Sequence, residues 1–484
     1  MVRPEPSMTV RFAPFATSGK RTSALGLAVA VAVAACGGSG SSEGAAGSTG
    51  LGGSSAGSTS SGSSGVGVTG GSGGATVGGS AVGGSSVAGT AVGGTAAGGT
   101  AAGGTAAGGT AVGGAGGGMA GTGGMGGAMA GSSGTGGAAT MPAFDADAVK
   151  AIMRRVADYE ITRFGTDNDN GWVRAAFHPG MLAAFRVLGD AKYHDYTQNW
   201  GTVNNWKLKD SSTDPACLGP TRTTCGARFA DNEACVQAYA ELYLAAPTAQ
   251  NAVMLTAAQT TFDSMVAAPR TGRVEWWWED ALFMAPPALA RVAAAVPAKS
   301  EQYLSLMDSM FWDTKAFLFD PAQGLFWRDS GYLNTNTYWS RGNGWVVAGT
   351  ARILDVLPAA DARRSKYEAL LKTMATKLAS VQAADGYWRS SLTQPNAFKD
   401  PETSGTAFFT FGIAWGINHG VLDRATFLPV VTKAWPALVK AVSAQGRLGY
   451  VQAVGAEPGP STADNTNDYA TGAFLLTGEQ LLKL

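Results

Sequence analysis

Four short clusters hold the residue types that can do chemistry. The densest is Glu275-Trp276-Trp277-Trp278-Glu279-Asp280, three tryptophans among three acids, directly ahead of the apolar run Ala281-Leu282-Phe283-Met284. A carboxyl pressed against large aromatics loses hydration and its pKa rises, and a carboxyl that keeps its proton is the usual acid of sugar chemistry. Tryptophan faces also stack on sugar rings. The second cluster, Arg228-Phe229-Ala230-Asp231-Asn232-Glu233, again places an acid where a helical pattern begins. Each aspartate has a plain alternative as a helix N-cap. Two carboxyls at helix mouths can also converge on one pocket, as acid–base work on glycosides requires. In the third cluster, Tyr338-Trp339-Ser340-Arg341-Gly342-Asn343-Gly344-Trp345, two tryptophans flank an arginine, the side chain suited to planar capture of a carboxylate or to pairing with a helix end. The fourth, Pro401-Glu402-Thr403-Ser404-Gly405-Thr406, opens a helical run and reads equally as its cap.

These clusters need a scaffold that brings helix mouths together. Apolar residues three and four apart recur in about twelve segments, near 145–164, 179–188, 190–205, 231–245, 249–267, 279–295, 299–317, 342–356, 361–383, 403–419, 424–443 and 470–482. Strand-like alternation is confined to short pieces such as Gly324-Leu325-Phe326-Trp327-Arg328. The expectation is an all-α fold of six helical hairpins, an (α/α)6 barrel with a pocket at one end. An open solenoid is the alternative, without a repeat period to support it.

The scaffold occupies residues 142–484, which contain all 13 Trp and all 3 His. Of the 69 glycines, 43 fall in residues 37–140, a stretch with one charge (Glu43) and no aromatic, so it cannot build a core. Residues 37–141 therefore read as a disordered tether, with a reach on the order of 55 Å. Ahead of it, Arg11, Lys20 and Arg21 precede an uncharged apolar run from Ala24 to Ala35, of signal-peptide length and too short to span a bilayer. The run ends in Val33-Ala34-Ala35-Cys36, which resembles a bacterial lipoprotein cleavage box with Cys36 lipidated. Residues 1–36 thus predict an exported, membrane-anchored lipoprotein. In an oxidising compartment Cys217 and Cys225 could close their Gly-Pro loop as a disulfide, and Cys235 is left as a buried thiol. The 142–484 block balances 31 basic against 33 acidic residues, so nucleic acid is excluded as the default partner. No His pair stands at ligand spacing, and no metal or organic cofactor is implied.

Seven segments in order carry a family resemblance through almost all of 142–484: ADN at Ala230–Asn232, WEDALFMAPP at Trp278–Pro287, LFWRDS at Leu325–Ser330, YWSRGNGW at Tyr338–Trp345, DGYWRSSL at Asp385–Leu392, ETSGTAFFTFGIAWGINHG at Glu402–Gly420 and GYVQ at Gly449–Gln452. The block resembles glycoside hydrolase family 105, the unsaturated rhamnogalacturonyl hydrolases, relatives of the family 88 unsaturated glucuronyl hydrolases. The resemblance implies a six-hairpin barrel acting on oligosaccharides whose non-reducing end is a 4,5-unsaturated uronic acid, as left by lyases on pectin. Such enzymes hydrate the C4=C5 double bond instead of attacking the anomeric carbon. By the motif match Asp280 is the general acid and base, Asp231 the second carboxylate, and Trp278, Trp339, Arg341 and Trp345 are pocket walls. Some relatives place a His in the loop where this chain has Arg328-Asp329; His178, in Phe177-His178-Pro179-Gly180, could supply a pocket imidazole instead, or bond to backbone at a helix entry.

Two other functions fit the same residues. An inverting glycosidase would use Asp231 and Asp280 as base and acid at the anomeric carbon. A surface lipoprotein that binds sugar without catalysis needs neither carboxylate.

Overall fold

The computed structural model describes residues 144–165, 167–211 and 226–484. The signal-like segment with Cys36, the Gly-rich stretch, and Cys217 and Cys225 lie outside the described residues.

Along the described chain, α1 (Ala146–Phe164) is followed by the short α2 (Trp172–Ala175), then α3 (His178–Leu188) and α4 (Ala191–Val203). Next come the short α5 (Ala230–Glu233), α6 (Val236–Ala245) and α7 (Val253–Ala267). The short α8 (Gly272–Glu275) and α9 (Ala281–Met284) lead into α10 (Pro286–Ala295) and α11 (Ser300–Leu318). A two-stranded hairpin, β1 (Phe319–Asp320) with β2 (Leu325–Phe326), precedes α12 (Ser340–Leu354), α13 (Arg364–Val381), α14 (Thr403–Asn418), α15 (Arg424–Lys440) and α16 (Asp468–Leu481). The expected segments near 231–245 and 279–295 are each broken. At the second, Pro286 and Pro287 have no N–H to offer the preceding turn, so α9 stops and a new helix starts on Pro286.

Burial sorts the long helices into two sets. Every residue of α12 and of α16 is buried, as is α14 through Ile417. Helices apolar or enclosed all round belong inside. By contrast α13 buries Tyr367, Leu370, Leu371, Met374, Ala375 and Leu378, and α1 buries Val149, Ile152, Met153, Val156, Ala157 and Glu160. This is the single stripe of a helix with one wet face. Inner helices α3, α6, α10, α12, α14 and α16 pack each on the next, and α16 returns to α3. The ring is closed, and α1, α4, α7, α11, α13 and α15 form the outer layer, giving the six-hairpin toroid expected from the sequence.

Strict alternation of outer and inner helices makes all inner helices parallel. Their N-termini share one end, where the outer-to-inner connections run from 13 to 32 residues; inner-to-outer connections have two to nine. Long connections on a rigid ring are where a site can be built.

Candidate active site

Asp231 and Asp280 arrive from different connections, on the short helices α5 and α9. The N-cap of α5 is Phe229, so Asp231 lies inside the turn and caps nothing. Asp280 occupies the N-cap position of α9, yet its backbone is helical (φ −63°, ψ −30°) and its side chain accepts no capping bond. The capping alternative therefore fails at both. It holds for Glu402, whose carboxylate accepts from the N–H groups of Ser404 (3.0 Å) and Gly405 (2.7 Å) at the start of α14.

The two aspartates meet in a cavity of about 190 Å³ at the N-terminal end of the inner ring. Trp278, Arg328, Trp339, Arg341 and Trp345 line it as well, together with Trp172, Met284, Val454 and Gly455. Trp172, Val454 and Gly455 gave no cluster signal in the sequence, whereas Met284 belongs to the apolar run behind Asp280. Of the tryptophan triplet only Trp278 faces the cavity, since Trp276 is fully buried and Trp277 sits beneath Arg328. The backbone N–H of Glu279 donates to Arg328 O (2.8 Å), which brings the α11–α12 connection against Asp280.

His178 does not line the cavity. Its ring stacks on Trp200 (3.8 Å between centroids), its Nδ1 lies 3.1 Å from Thr197 Oγ1, and it is wholly buried between α3 and α4. Burial and the nearby Arg174 push its pKa well below the usual imidazole value, so it stays neutral. The expected pocket imidazole is a core residue.

Arg341 is also largely committed. Nη1 donates to Gln452 O (2.6 Å) and Tyr469 Oη (2.9 Å), Nη2 donates to Ala453 O (2.8 Å), and the guanidinium lies 4.4 Å from the Trp339 ring centroid. It fastens the strip carrying Val454 and Gly455 to the cavity wall. Arg328 uses Nη1 on Asp329 Oδ2 (2.5 Å), while its buried Nε has no protein acceptor. Arg341 Nε is buried without an acceptor as well, but both Nη atoms of Arg341 are bonded to protein oxygens, so Arg328 is the better placed cation for a bound carboxylate.

Gln452, quoted only as part of a motif, holds the site together. Its Oε1 accepts from Trp339 Nε1 (2.9 Å) and Ser390 Oγ (2.7 Å), and its Nε2 donates to Glu457 O (2.7 Å). Tyr450, two residues earlier, has φ +57°, a left-handed conformation unusual for a bulky residue and a sign that the surrounding bonds fix this turn.

Both aspartates are partly open to the cavity, but protein surrounds them closely enough that desolvation dominates. Burial, then the charge of Asp280, pushes Asp231 up to about 8 against the pull of Arg328. Burial raises Asp280 too; Arg328 and Arg341 oppose it, and its carboxyl titrates near about 6. Glu279 behind them is buried and pushed well above the carboxylate range by desolvation and by Asp280. Between about 6 and 8 the pair therefore shares one proton. No group of three or more His, Cys, Asp or Glu among the described residues is arranged to hold a metal.

A larger cavity, about 400 Å³, opens at the opposite end of the ring, around Glu241. Its charges already pair: Glu241 accepts from Arg352 (2.6 Å), Arg291 (2.9 Å) and Arg186 (3.2 Å). Burial pushes Glu241 up, but the three arginines outweigh it and hold the carboxyl well below its usual range.

The sequence pattern of Glycosyl Hydrolase Family 88 matches residues 146–484, the whole toroid. This chain belongs to glycosyl hydrolase family 88. It is 42% identical over 221 residues to an unsaturated 3S-rhamnoglycuronyl hydrolase of Formosa agariphila, a match spanning 43% of this chain and 58% of the relative. A protein of the same name from an Alteromonas species is 30% identical over 362 residues, covering 69% of this chain and 85% of the relative. Among solved structures, one named a polysaccharide lyase superposes with a TM-score of 0.64 at 31% identity, over 70% of this chain and 97% of that one.

The family 88 site is built at a cost in stability, and the cost has a sign. Asp231 has a pKa of about 8 in the folded chain against an ordinary 3.8. The folded state therefore binds more protons across that window, and stability falls as pH rises through it. Asp231→Asn removes this loss. The variant is expected to melt at a higher temperature than wild type, by a margin that grows from pH 4 to pH 8; paired thermal melts check it, and equal pH slopes would refute the burial account.

Proposed function

We propose that this family 88 chain cleaves oligosaccharides ending in a 4,5-unsaturated uronate by hydrating the C4=C5 bond, with Asp280 as acid and then base. The observation that carries the proposal is the pair itself, two desolvated carboxyls, both raised above the ordinary carboxylate range, in an aromatic cavity sized for one sugar ring.

In the proposed sequence the substrate carboxylate lies toward Arg328, drawing the guanidinium's field away from Asp280 and raising its pKa further. Protonated Asp280 delivers its proton to C4, and positive charge develops at C5, where the ring oxygen shares it. Asp280, now a carboxylate, takes a proton from water as the hydroxyl adds at C5. The C5 hemiketal opens to a ketone, leaving a hemiacetal at C1 that expels the neighbouring sugar. Asp231, which keeps its own proton, bonds to sugar hydroxyls and keeps a second negative charge out of the cavity.

The elimination that creates the double bond removes the stereocentre at C4, where galacturonate and glucuronate differ. Both parent sugars therefore give the same terminal residue, and selectivity must come from what it is attached to. The names of the two relatives, both unsaturated 3S-rhamnoglycuronyl hydrolases, point to rhamnose as that neighbour.

The lyase among the structural neighbours supplies a second reading, in which an ionised aspartate removes a proton from an intact uronate and creates the double bond. One assay separates the two. Lyase-generated unsaturated disaccharides should lose the ultraviolet absorbance of their conjugated double bond on incubation with the protein; a saturated uronyl disaccharide gaining that absorbance would establish elimination instead.

A further inference from the structure

A second cavity, about 250 Å³, lies beside the first. Two connections pass directly from one to the other. Trp339 lines the first cavity and Thr337 the second; Gly455 lines the first and Glu457 the second. The partition is narrow: Trp339 pairs with Ser391 in an isolated antiparallel bridge, and Gln452 ties Trp339 and Ser390 on one side to the Glu457 carbonyl on the other. A ring seated between Asp231 and Asp280 fills the first cavity, so the sugar linked to it has a built place next door.

The lining states what that sugar should be. Asn336, Gln394, Thr337 and Ser391 offer amides and hydroxyls, groups that both donate and accept as sugar hydroxyls do. Phe398, half-buried, gives an apolar face. Among the described residues the one charge in the lining is Glu457, whose carboxylate accepts from Tyr332 Oη (3.0 Å). No Arg or Lys among the described residues lines the cavity; Lys399, next to Phe398 in the chain, is exposed and outside it. A sulfate or second uronate would need cationic donors and would meet a carboxylate.

Resting on the hydration reading of the first cavity, we infer that the second cavity binds the sugar to be released and selects it as a neutral, unsulfated ring.

The test uses full-length Asp280→Asn protein, in which turnover is slowed by about 10²–10⁴-fold. Calorimetry compares an unsaturated uronyl-rhamnose disaccharide, its counterpart sulfated on rhamnose, and the methyl glycoside of the unsaturated uronate. The neutral disaccharide should bind about tenfold or more tighter than the sulfated one. Adding Phe398→Ala should weaken the neutral disaccharide several-fold more than the methyl glycoside. Equal or tighter binding of the sulfated compound, an equal loss for both ligands in Phe398→Ala, or no binding of either disaccharide would overturn the inference. Failure of the hydration reading shows separately, as wild-type protein that leaves the double bond of every compound intact.

Discussion

Asp280→Asn should slow loss of the double bond by about 10²–10⁴-fold, the range associated with a positioned acid–base group, while the chain stays folded. The amide keeps the side chain's shape, and no capping bond is lost because Asp280 makes none. Its Oδ1 is buried without a partner, so an uncharged amide there relieves a desolvated acid without breaking a hydrogen bond. Folding and turnover therefore separate cleanly. The wild-type rate should also fall as pH rises through about 6, where Asp280 gives up the proton the reaction needs. The residual rate of the variant should lack that dependence. A variant within about tenfold of wild type would move the acid elsewhere, with Asp231 the first candidate.

Gly472→Ala should produce a large loss of stability, because it acts where the ring closes. A Cβ on Gly472 would stand 2.3 Å from Ala176 O and 2.8 Å from Phe177 Cα, and one on Gly180 would stand 2.5 Å from Gly472 O. These are backbone atoms on both sides, which cannot rotate away as a side-chain tip can. Overpacking of this kind costs about 1–3 kcal/mol or more, relieved only by moving α16 off α3. That motion would carry Asp468, which pairs with Arg163 (2.9 Å) and Arg174 (3.2 Å), and Tyr469, which holds Arg341. A clear drop in Tm with a weakened site is the expected outcome. An unchanged Tm would show that the two helices have slack at their crossing.

Much of the scaffold was legible because helical stripes are local. The spacing of Tyr367, Leu370, Leu371 and Met374 is enough to give α13 and its buried face. The break before Pro286 was also signalled by the chain, and reading straight through it to 295 discounted what paired prolines do to a helix. What the local pattern could not give was partnership at a distance. Whether Asp231 and Asp280 cap a helix or face a cavity depends on connections that meet only in the ring. The partners of Arg341 lie more than a hundred residues further on, at Gln452, Ala453 and Tyr469. His178 had the right type and an apt helix-entry position, but Trp200 and Thr197 on the neighbouring helix enclose it. Trp172 and Val454 reach the cavity from segments with no cluster around them.

The most direct test of the central claim follows the atoms of water into the product of a single early turnover. In D₂O, protonation of the double bond should place deuterium at C4 of the released uronic product, and in H₂¹⁸O the heavy oxygen should enter at C5. Cleavage at the anomeric carbon would instead put ¹⁸O at C1 and leave C4 without deuterium. An early product labelled at C4 and C5 is the result expected of Asp280 acting as the acid; ¹⁸O at C1 alone would contradict it.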